Sequence, residues 1–563
     1  MIFYDFEVFK EDWLVVLVNP DKKTEDVIIN DAEALTKYYE ENKSEIWTGY
    51  NSNRYDQYIL KSILCGFNPK KVNDFMIVKD EAGWKFSSLF NNFPLLSYDV
   101  MLSMYSLKQL EGFMGNTIKE TSVPFDIDRK MTDAEIAETV KYCKSDVYNT
   151  IEVFMKTKSE FNAVVNLIKT FNLPASYISK TKAQLSAIIL GCNRRNWDDE
   201  FDITIVPTLK IGKYGAVLDW FKKCKFYDES FEFDVAGVKH TFGIGGVHGA
   251  KENYHNKGLI IHVDVTSYYP SLMIAYNFLT RNCAYPEKFK DIYDTRVALK
   301  KAGKKKEQAP YKIVLNGTYG ISKDKMSLAY DPRQANNVCV NGQLLLIDLI
   351  DKLEAIQGFE LIQSNTDGLI VKIPDTDSAF NQLDDVCYEW EQRTKMGLGF
   401  DFIDEIWQKD VNNYVFRDVD GKLERKGGYV KELSDLDNNL PIVNKAIVDY
   451  LTAGIPIETT INACNDLKQF QMICKISNKY KCLMYGNSCK PLSERCVRVF
   501  ASKYNDGGLY KLHQNKKKPD KFPSTPVNCF IVNDDVNGAS VPDKLDRQFY
   551  INMAKERVQG YGI

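Results

Sequence analysis

The residues best able to do chemistry in this chain are acids. In Asp5-Phe6-Glu7 two carboxylates stand two positions apart, and an extended strand turns residues i and i+2 to one face. Two acids held side by side repel each other unless a cation lies between them. Asp56 closes the stretch Gly49-Tyr50-Asn51-Ser52-Asn53-Arg54-Tyr55-Asp56, and Tyr142 and Asp146 are spaced i,i+4 as on one helical face. A second set pairs Asp264, near the end of the apolar run Ile260–Val265, with Asp367 in Asn365-Thr366-Asp367-Gly368. Between these two acids, Lys312, Asn316 and Tyr319 recur at helical spacing. Carboxylates select hard cations such as Mg²⁺ and Mn²⁺. Four of the five histidines, His240, His248, His255 and His262, crowd one stretch. Their spacing lacks an i,i+4 pair in a Gly-rich, strand-like segment, which argues against a histidine-held metal.

These acids need elements to hold them. Residues 1–9 alternate as a strand, and Trp13–Asn19 reads as a second across a polar turn. Thr132-Asp133-Ala134-Glu135 is a capping box that opens a helix with apolar positions Ile136, Val140, Cys143, Val147, Ile151 and Phe154. Strands followed by a capped helix predict an α/β domain that ends near residues 160–180. Residues 241–250 form a glycine-rich connector, read as a close backbone approach to a ligand or another domain. Ile260–Val265 predicts a strand. Leu361–Ser364 and Leu369–Ile373 predict a hairpin with Asp367 in its turn. The segment between them is helical and basic, with a helix at Phe289–Ala302, a turn at Gly303, a helix entered at Pro310, and another near Asn341–Ala355.

With 563 residues the chain should hold three to four domains of about 150 residues. A 44% hydrophobic and 26% charged composition is that of a globular protein. No run of eighteen apolar residues suits a bilayer span, and the N-terminus has two acids by position seven and no basic region of a secretory signal. Thirteen cysteines with no Cys-x-x-Cys pair fit reduced thiols in a cytoplasm. A net charge of −3 excludes bulk positive charge but leaves room for a local basic groove.

In order along the chain, Asp-x-Glu, Asn-x-x-x-Tyr-Asp and Tyr-x-x-x-Asp resemble the three exonuclease motifs of proofreading DNA polymerases. Asp264-Val265-Thr266-Ser267-Tyr268-Tyr269-Pro270-Ser271, Lys312-Ile313-Val314-Leu315-Asn316-Gly317-Thr318-Tyr319-Gly320 and Asn365-Thr366-Asp367 are similar to the three polymerase motifs of family B DNA polymerases, and they follow in that family's order. Leu545–Ile551 resembles the family's C-terminal thumb segment, and Gly245-Gly246 resembles the Tyr-x-Gly-Gly link of protein-primed phage members. In size the chain is similar to compact bacteriophage polymerases. It departs from the pattern at Tyr268 for a usual Leu, at Gly317 for Ser, and at Asn365 for the first acid of the third motif. Val411-Asn412-Asn413-Tyr414 lacks the family's lysines, a loss for which Arg425 and Lys426 are the nearest substitutes.

The resemblance implies an α/β multidomain fold, a ribonuclease-H-like exonuclease domain followed by a right-hand polymerase. The expected division is 1–180 exonuclease, 181–285 connector and first palm segment, 286–320 short fingers, 321–410 second palm segment, and 411–563 thumb and C-terminal region. It implies two Mg²⁺ or Mn²⁺ ions per active site, held by Asp264, Asp367 and the Val265 carbonyl in one and by Asp5, Glu7, Asp56 and Asp146 in the other. Tyr142 would position the attacking water. Lys312, Arg296 and Lys300 would neutralise the incoming triphosphate, Tyr269 would exclude a 2′-hydroxyl, and Asn316 and Tyr319 would line the base-pair pocket. Asn51 and Tyr55 would hold a frayed primer end, while Gly245, Gly246, Tyr414 and Lys426 would contact DNA. The implied partners are primer–template DNA, dNTPs and phage replication proteins (primase, helicase, single-strand binding protein). The implied state is a monomer in the cytoplasm of a host cell, without a membrane. The alternative is a 3′→5′ exonuclease whose polymerase half is degenerate, for which Asn365 is the motive. Protein-primed members of the family carry two insertions between these motifs, one that contacts the terminal protein and one that encircles DNA; the gaps 271–311 and 321–364 leave no room for either, so the resemblance implies a nucleic-acid primer and not a protein hydroxyl.

Overall fold

Residues 2–29 fold as an antiparallel meander of β1 (Ile2–Val8), β2 (Trp13–Asn19) and β3 (Thr24–Ile29), with Asp5 opposite Val16 and Glu7 opposite Leu14. The structure is a computed structural model and describes residues 1–102 and 104–563. β4 (Ile46–Gly49) and β5 (Leu96–Asp99) join β1 in parallel, giving the order β3-β2-β1-β4-β5. Parallel strands require crossovers, and helices Ala32–Asn42, Asp56–Leu64 and Pro69–Ile77 supply them. Tyr4, Phe6 and Trp47 bury one face of the sheet against Ile59 and Leu60. Phe3, Leu14 and Val16 bury the other against Cys143, Val147 and Phe154 of the helix Asp133–Lys156. That helix starts at the expected capping box, with both the Thr132 and Glu135 side chains bonded to backbone amides. Asp5 and Glu7 alternate with Tyr4 and Phe6, so they share the face that this helix covers.

A nine-stranded sheet forms the middle of the molecule. Its strands are β6 (Ser230–Val235), β7 (Val238–Gly243), β8 (His248–Ala250), β9 (Tyr254–Val265), β10 (Glu360–Asn365), β11 (Gly368–Lys372), β12 (Leu398–Asp410), β13 (Asn413–Asp418) and β14 (Leu423–Lys426). Their order is β14-β13-β12-β9-β11-β10-β8-β7-β6. The glycine-rich stretch 241–250 is therefore not a free connector. Its ends are β7 and β8, which pair with each other and with β6 and β10, so sheet bonds satisfy most of its backbone. Glycine is needed here for space: a Cβ at Gly249 would stand 2.4 Å from the His240 ring, and one at Gly246 would stand 2.6 Å from Thr366 Oγ1.

Helices Pro286–Lys301 and Lys305–Lys323 pack together and meet at Gly303. The second starts five residues before Pro310, where the sequence placed its entry. Pro310 sits in the second turn, where its missing N–H forfeits only a bond to the Lys306 carbonyl, and the earlier start gains an ion pair between Lys304 and Glu307 (3.1 Å). The helix Pro332–Leu353 is buried on nearly all sides. Its buried polar residues lace the extended segment 204–210 to the core: Asn337 and Asn341 accept from the amides of Thr204 and Val206 (2.8 and 2.9 Å), and Asp348 from that of Lys210 (2.7 Å). The gap 271–311 contains the end of the helix Tyr268–Ala275, the helix Pro286–Lys301 and the start of the next, and the gap 321–364 contains the helix Pro332–Leu353 and most of β10, with short connections between them.

The remaining chain forms helices Pro441–Ala453, Ile457–Ala463 and Arg547–Val558 and two small antiparallel sheets around one core. It docks on the first domain. Fully buried Arg498 donates to the carbonyls of Gly112 and Asn116 (3.1 and 2.7 Å), capping the C-terminal end of the helix Leu107–Met114. Among the described residues no helix is long and apolar enough to cross a membrane.

Candidate active sites

Four predicted acids converge at the first sheet. Asp5 and Glu7 project from β1, Asp56 opens the helix beside it, and Asp146 faces them from the helix Asp133–Lys156. Asp56 Oδ1 accepts from the Phe6 amide (3.1 Å), which fixes this acid to the strand that carries the first two. The mutual effect is large. Burial, then the charges of Asp56, Glu7 and Asp146, hold the Asp5 carboxyl well above its ordinary range. Burial, then Asp146 and Asp56, do the same to Glu7. Burial pushes Asp56 up to about 7, with Asp99 adding to it and backbone hydrogen bonds opposing.

Lys108 and Asp99, which carry no sequence signal, and Cys143, expected only as an apolar helix position, complete this site. Lys108, on the helix Leu107–Met114, pairs with Asp146 (2.6 Å) and Glu111 (3.1 Å), and its ammonium lies 4.5 Å from the centre of the Tyr142 ring. Burial opposes that charge, but Asp146 and Glu111 hold the ammonium above its usual value. The Cys143 thiol donates to the Asp5 carbonyl (3.4 Å) and lies 3.6 Å from its Oδ2. Asp99, at the end of β5, accepts from the amides of Asn51 and Asn53 (2.8 and 3.0 Å) and orders the loop ahead of Asp56. Spacing could not reveal Lys108 and Asp99, which reach the site from elements that carry none of the spaced acids. Of the two residues expected to hold a primer end, Asn51 has a left-handed backbone (φ +63°), and the Tyr55 hydroxyl donates to Asn73 (2.7 Å). Both line a groove of about 440 Å³ with Arg54, Tyr58 and Trp84.

The donors suit a cation. Ligand atoms of Asp5, Glu7 and Cys143 lie within 4.8 Å of one another. Glu7 is 7% exposed and has no hydrogen-bond or ion-pair partner among the described residues. A buried carboxylate without a partner is costly, and its neighbours are mainly other acids.

The second site lies on the nine-stranded sheet. Asp264, on β9, pairs in register with Gly368 of β11 on one side and Gly399 of β12 on the other. The Val265 amide donates to the Asp367 carbonyl (2.9 Å), so the strand end and the hairpin turn are tied at the two acids. The turn is tight: Thr366 has φ +33°, rare for a β-branched residue and worth about 1–3 kcal/mol of strain. The Thr366 amide donates to the Val247 carbonyl (3.1 Å), so the Gly245-Gly246 segment supports the turn. Burial, then the Asp367 charge, raises the Asp264 carboxyl, and Lys300 offsets part of this.

The surrounding candidates fall in place around this pair. After β9 the chain turns through Ser267 (φ +52°) into the helix Tyr268–Ala275. The Arg296 guanidinium, largely buried, donates to the Ser267 hydroxyl. Tyr268 donates to the Gly342 carbonyl (2.6 Å), while Tyr269 packs on Tyr319 with ring centres 4.6 Å apart. Lys312 and Asn316 are exposed on the helix that carries Tyr319. Tyr414 pairs with Lys426, whose ammonium lies 5.8 Å from its ring centre. Burial, then Glu424 and Asp367, push its hydroxyl up. His248 pairs in register with Asn365, and burial followed by Lys426 lowers its pKa. The histidines do not gather into one centre: His240 contacts Ser364, His255 bonds Glu405 (2.8 Å), and His262 lies 4.0 Å from Asp401. Lys516 is paired with Asp520 (2.8 Å) on an exposed loop of the C-terminal domain.

No protein-family model matches the chain, and no curated protein matches it. Among solved structures, it is similar to the family B DNA polymerase from the hyperthermophilic archaeon Pyrobaculum calidifontis, at 13% identity and a TM-score of 0.44, over 99% of this chain and 77% of that one.

Proposed function

We propose that the chain is a DNA-directed DNA polymerase of the family B type with a 3′→5′ proofreading exonuclease, replicating a phage genome. The observation that carries this reading is the presence of two separate carboxylate sites on two sheets, the second tied at Asp264 and Asp367 and flanked by Tyr269, Tyr319 and Arg296. The order β3-β2-β1-β4-β5 supports a ribonuclease-H-like first domain. The large antiparallel sheet reads as the palm, helices Pro286–Lys301 and Lys305–Lys323 as short fingers, and the C-terminal region as the thumb. The sheet draws strands up to Lys426, so the palm extends past residue 410 in this division.

In the polymerase site Asp264, Asp367 and the Val265 carbonyl would hold divalent cations, Mg²⁺ or Mn²⁺, and in the exonuclease site Asp5, Glu7, Asp56 and Asp146 would do so. Bound there, the ions would activate the attacking oxygen and neutralise charge on the leaving group. The chain's own residues do the rest. Exposed Lys312 and Lys300 meet the triphosphate as mobile point charges, while Arg296, fixed on Ser267, sets the turn that follows Asp264. Tyr269, held by Tyr319, presents a wall to the sugar where a 2′-hydroxyl would clash. Asn316 and Tyr319 face the nascent base pair. Tyr414 and Lys426, beside Asp367, and the Gly245-Gly246 backbone contact the DNA. In the exonuclease site Lys108 holds Asp146 and the Tyr142 ring in place, Tyr142 orients the attacking water, and Asn51 and Tyr55 line the groove that takes the frayed end. With no inserted subdomain, the enzyme extends a nucleic-acid primer supplied by other replication proteins.

Asn365 favours the second reading, a working exonuclease with a degenerate polymerase half, because it leaves the polymerase site one acid short. The test is genetic separation. Asp264→Ala or Asp367→Ala should abolish extension and spare single-strand degradation, and the double change Asp5→Ala with Glu7→Ala should do the reverse. Loss of both activities from either variant in a folded protein would overturn the two-site assignment.

A further inference from the structure

All thirteen cysteines are free thiols, yet two of them, Cys192 and Cys283, touch. Cys192 follows the helix Lys182–Ile189, and Cys283 precedes the helix Pro286–Lys301, which carries Arg296 and Lys300. The two residues face each other in an isolated antiparallel bridge, with sulfurs 3.2 Å apart. The bridge is flanked by backbone bonds from Asn193 to the Asn282 carbonyl (2.9 Å) and from Ala284 to the Gly191 carbonyl (3.4 Å). Cys192 and Cys283 are thus a non-hydrogen-bonded antiparallel pair, in which the Cα atoms stand about 4.5 Å apart and the side chains are closest. That separation lies at the lower edge of the range a disulfide accepts, so the link can close with little movement of the backbone.

The surroundings hold this geometry in place. Asn282 is buried and accepts from the Arg195 amide and the Trp197 indole (3.2 Å each), while its own amide group donates to the carbonyls of Arg195 and Tyr330 (3.3 and 2.7 Å). Arg281 joins Asp199 to Asp331 with bonds of 2.7–3.0 Å. Two segments ninety-one residues apart in sequence are therefore clamped before any covalent link exists.

We propose that Cys192 and Cys283 are a modification site: a reversible dithiol–disulfide pair that takes glutathione disulfide, or another small disulfide, as its oxidant. Cys283, the less buried of the two, attacks one sulfur of the oxidant as thiolate and releases one glutathione. Cys192 then attacks the Cys283 sulfur of the mixed disulfide and releases the second. Two S–H bonds and the oxidant's S–S bond are lost; one protein S–S bond forms, and the two protons and two electrons leave with two molecules of glutathione. Contact with Cys192 and burial hold the Cys283 thiol up. Once closed, the link pins the root of the helix Pro286–Lys301 to the segment after residue 191.

The test uses the full chain equilibrated over a series of glutathione redox ratios, trapped in acid with an alkylating agent, digested and weighed. A peptide linking Cys192 to Cys283, lighter than the two thiol peptides by two hydrogens, should appear at oxidising ratios and vanish with dithiothreitol. The unfolding midpoint should rise by more than about 2 °C on closure. Cys192→Ser should instead leave a glutathione on Cys283. The proposal fails if both residues remain alkylated at ratios where Cys489, a half-buried free thiol of the C-terminal domain, has taken glutathione, or if wild-type Cys283 keeps its glutathione without closing.

Discussion

Replacing Asp56 by asparagine should stabilise the metal-free protein while abolishing its exonuclease. Burial holds the Asp56 carboxyl at about 7, against 3.8 for the free group. The folded state thus keeps a proton that the unfolded chain has released. This contribution to stability is fully present below pH 3.8 and is lost as the pH rises through about 7. Above pH 7 the loss amounts to up to about 4 kcal/mol. The amide removes that cost, retains an oxygen for the Phe6 amide, and relieves Asp5 and Glu7 of a neighbouring charge. Because a multidomain chain need not unfold in one step, the assay is amide hydrogen exchange of residues 2–8 in EDTA, wild type against Asp56→Asn. At pH 7.5 the variant should be protected at least tenfold more, about 1.4 kcal/mol. The gain should shrink to about 1 kcal/mol or less at pH 4.5, where the folded wild type is protonated. Saturating Mg²⁺ should restore protection to the wild type alone. Lower protection in the variant at pH 7.5, or a gain independent of pH, would refute the reasoning.

Tyr269→Ala should open space for a 2′-hydroxyl and raise ribonucleotide incorporation more than tenfold, about 1.4 kcal/mol of discrimination, read as the dNTP/rNTP ratio of kcat/KM. Lys108→Met should lower exonuclease kcat by about 10²-fold or more with primer extension unchanged, since Asp146 and Glu111 would lose their counter-charge. Without an encircling element, extension length per binding event should fall steeply between about 50 and 200 mM salt, measured under a single-encounter trap.

The placement of the two acid clusters was legible because their acids sit in local patterns: Asp5 and Glu7 alternate with apolar residues on β1, the helix at Asp133 has a capping box, and Asp367 occupies a two-residue hairpin turn. What was not legible depends on packing between distant elements. Lys108 and Asp99 reach the first acid cluster from elements outside any spaced motif, and Cys143, legible as an apolar position of the capped helix, gave no sign of its contact with Asp5. The stretch 241–250 looked like a connector because glycines mask strand signals, and only the pairing with β6 and β10 shows what those glycines accommodate. Pro310 misled the helix start because proline is tolerated one turn further in, where a single carbonyl goes unbonded. The Cys192–Cys283 contact joins segments separated by most of a domain, and sequence offered no spacing for it.

The central claim is that one chain carries two metal-dependent sites acting on the same primer end. The most direct measurement is a gel of 5′-labelled primer annealed to a longer template, incubated with the protein and Mg²⁺, with and without dNTPs. Elongation to the template end is expected with dNTPs and stepwise shortening without them, both stopped by EDTA. Shortening in both lanes would show the degenerate-polymerase reading to be correct, and an unchanged primer in both would contradict the account altogether.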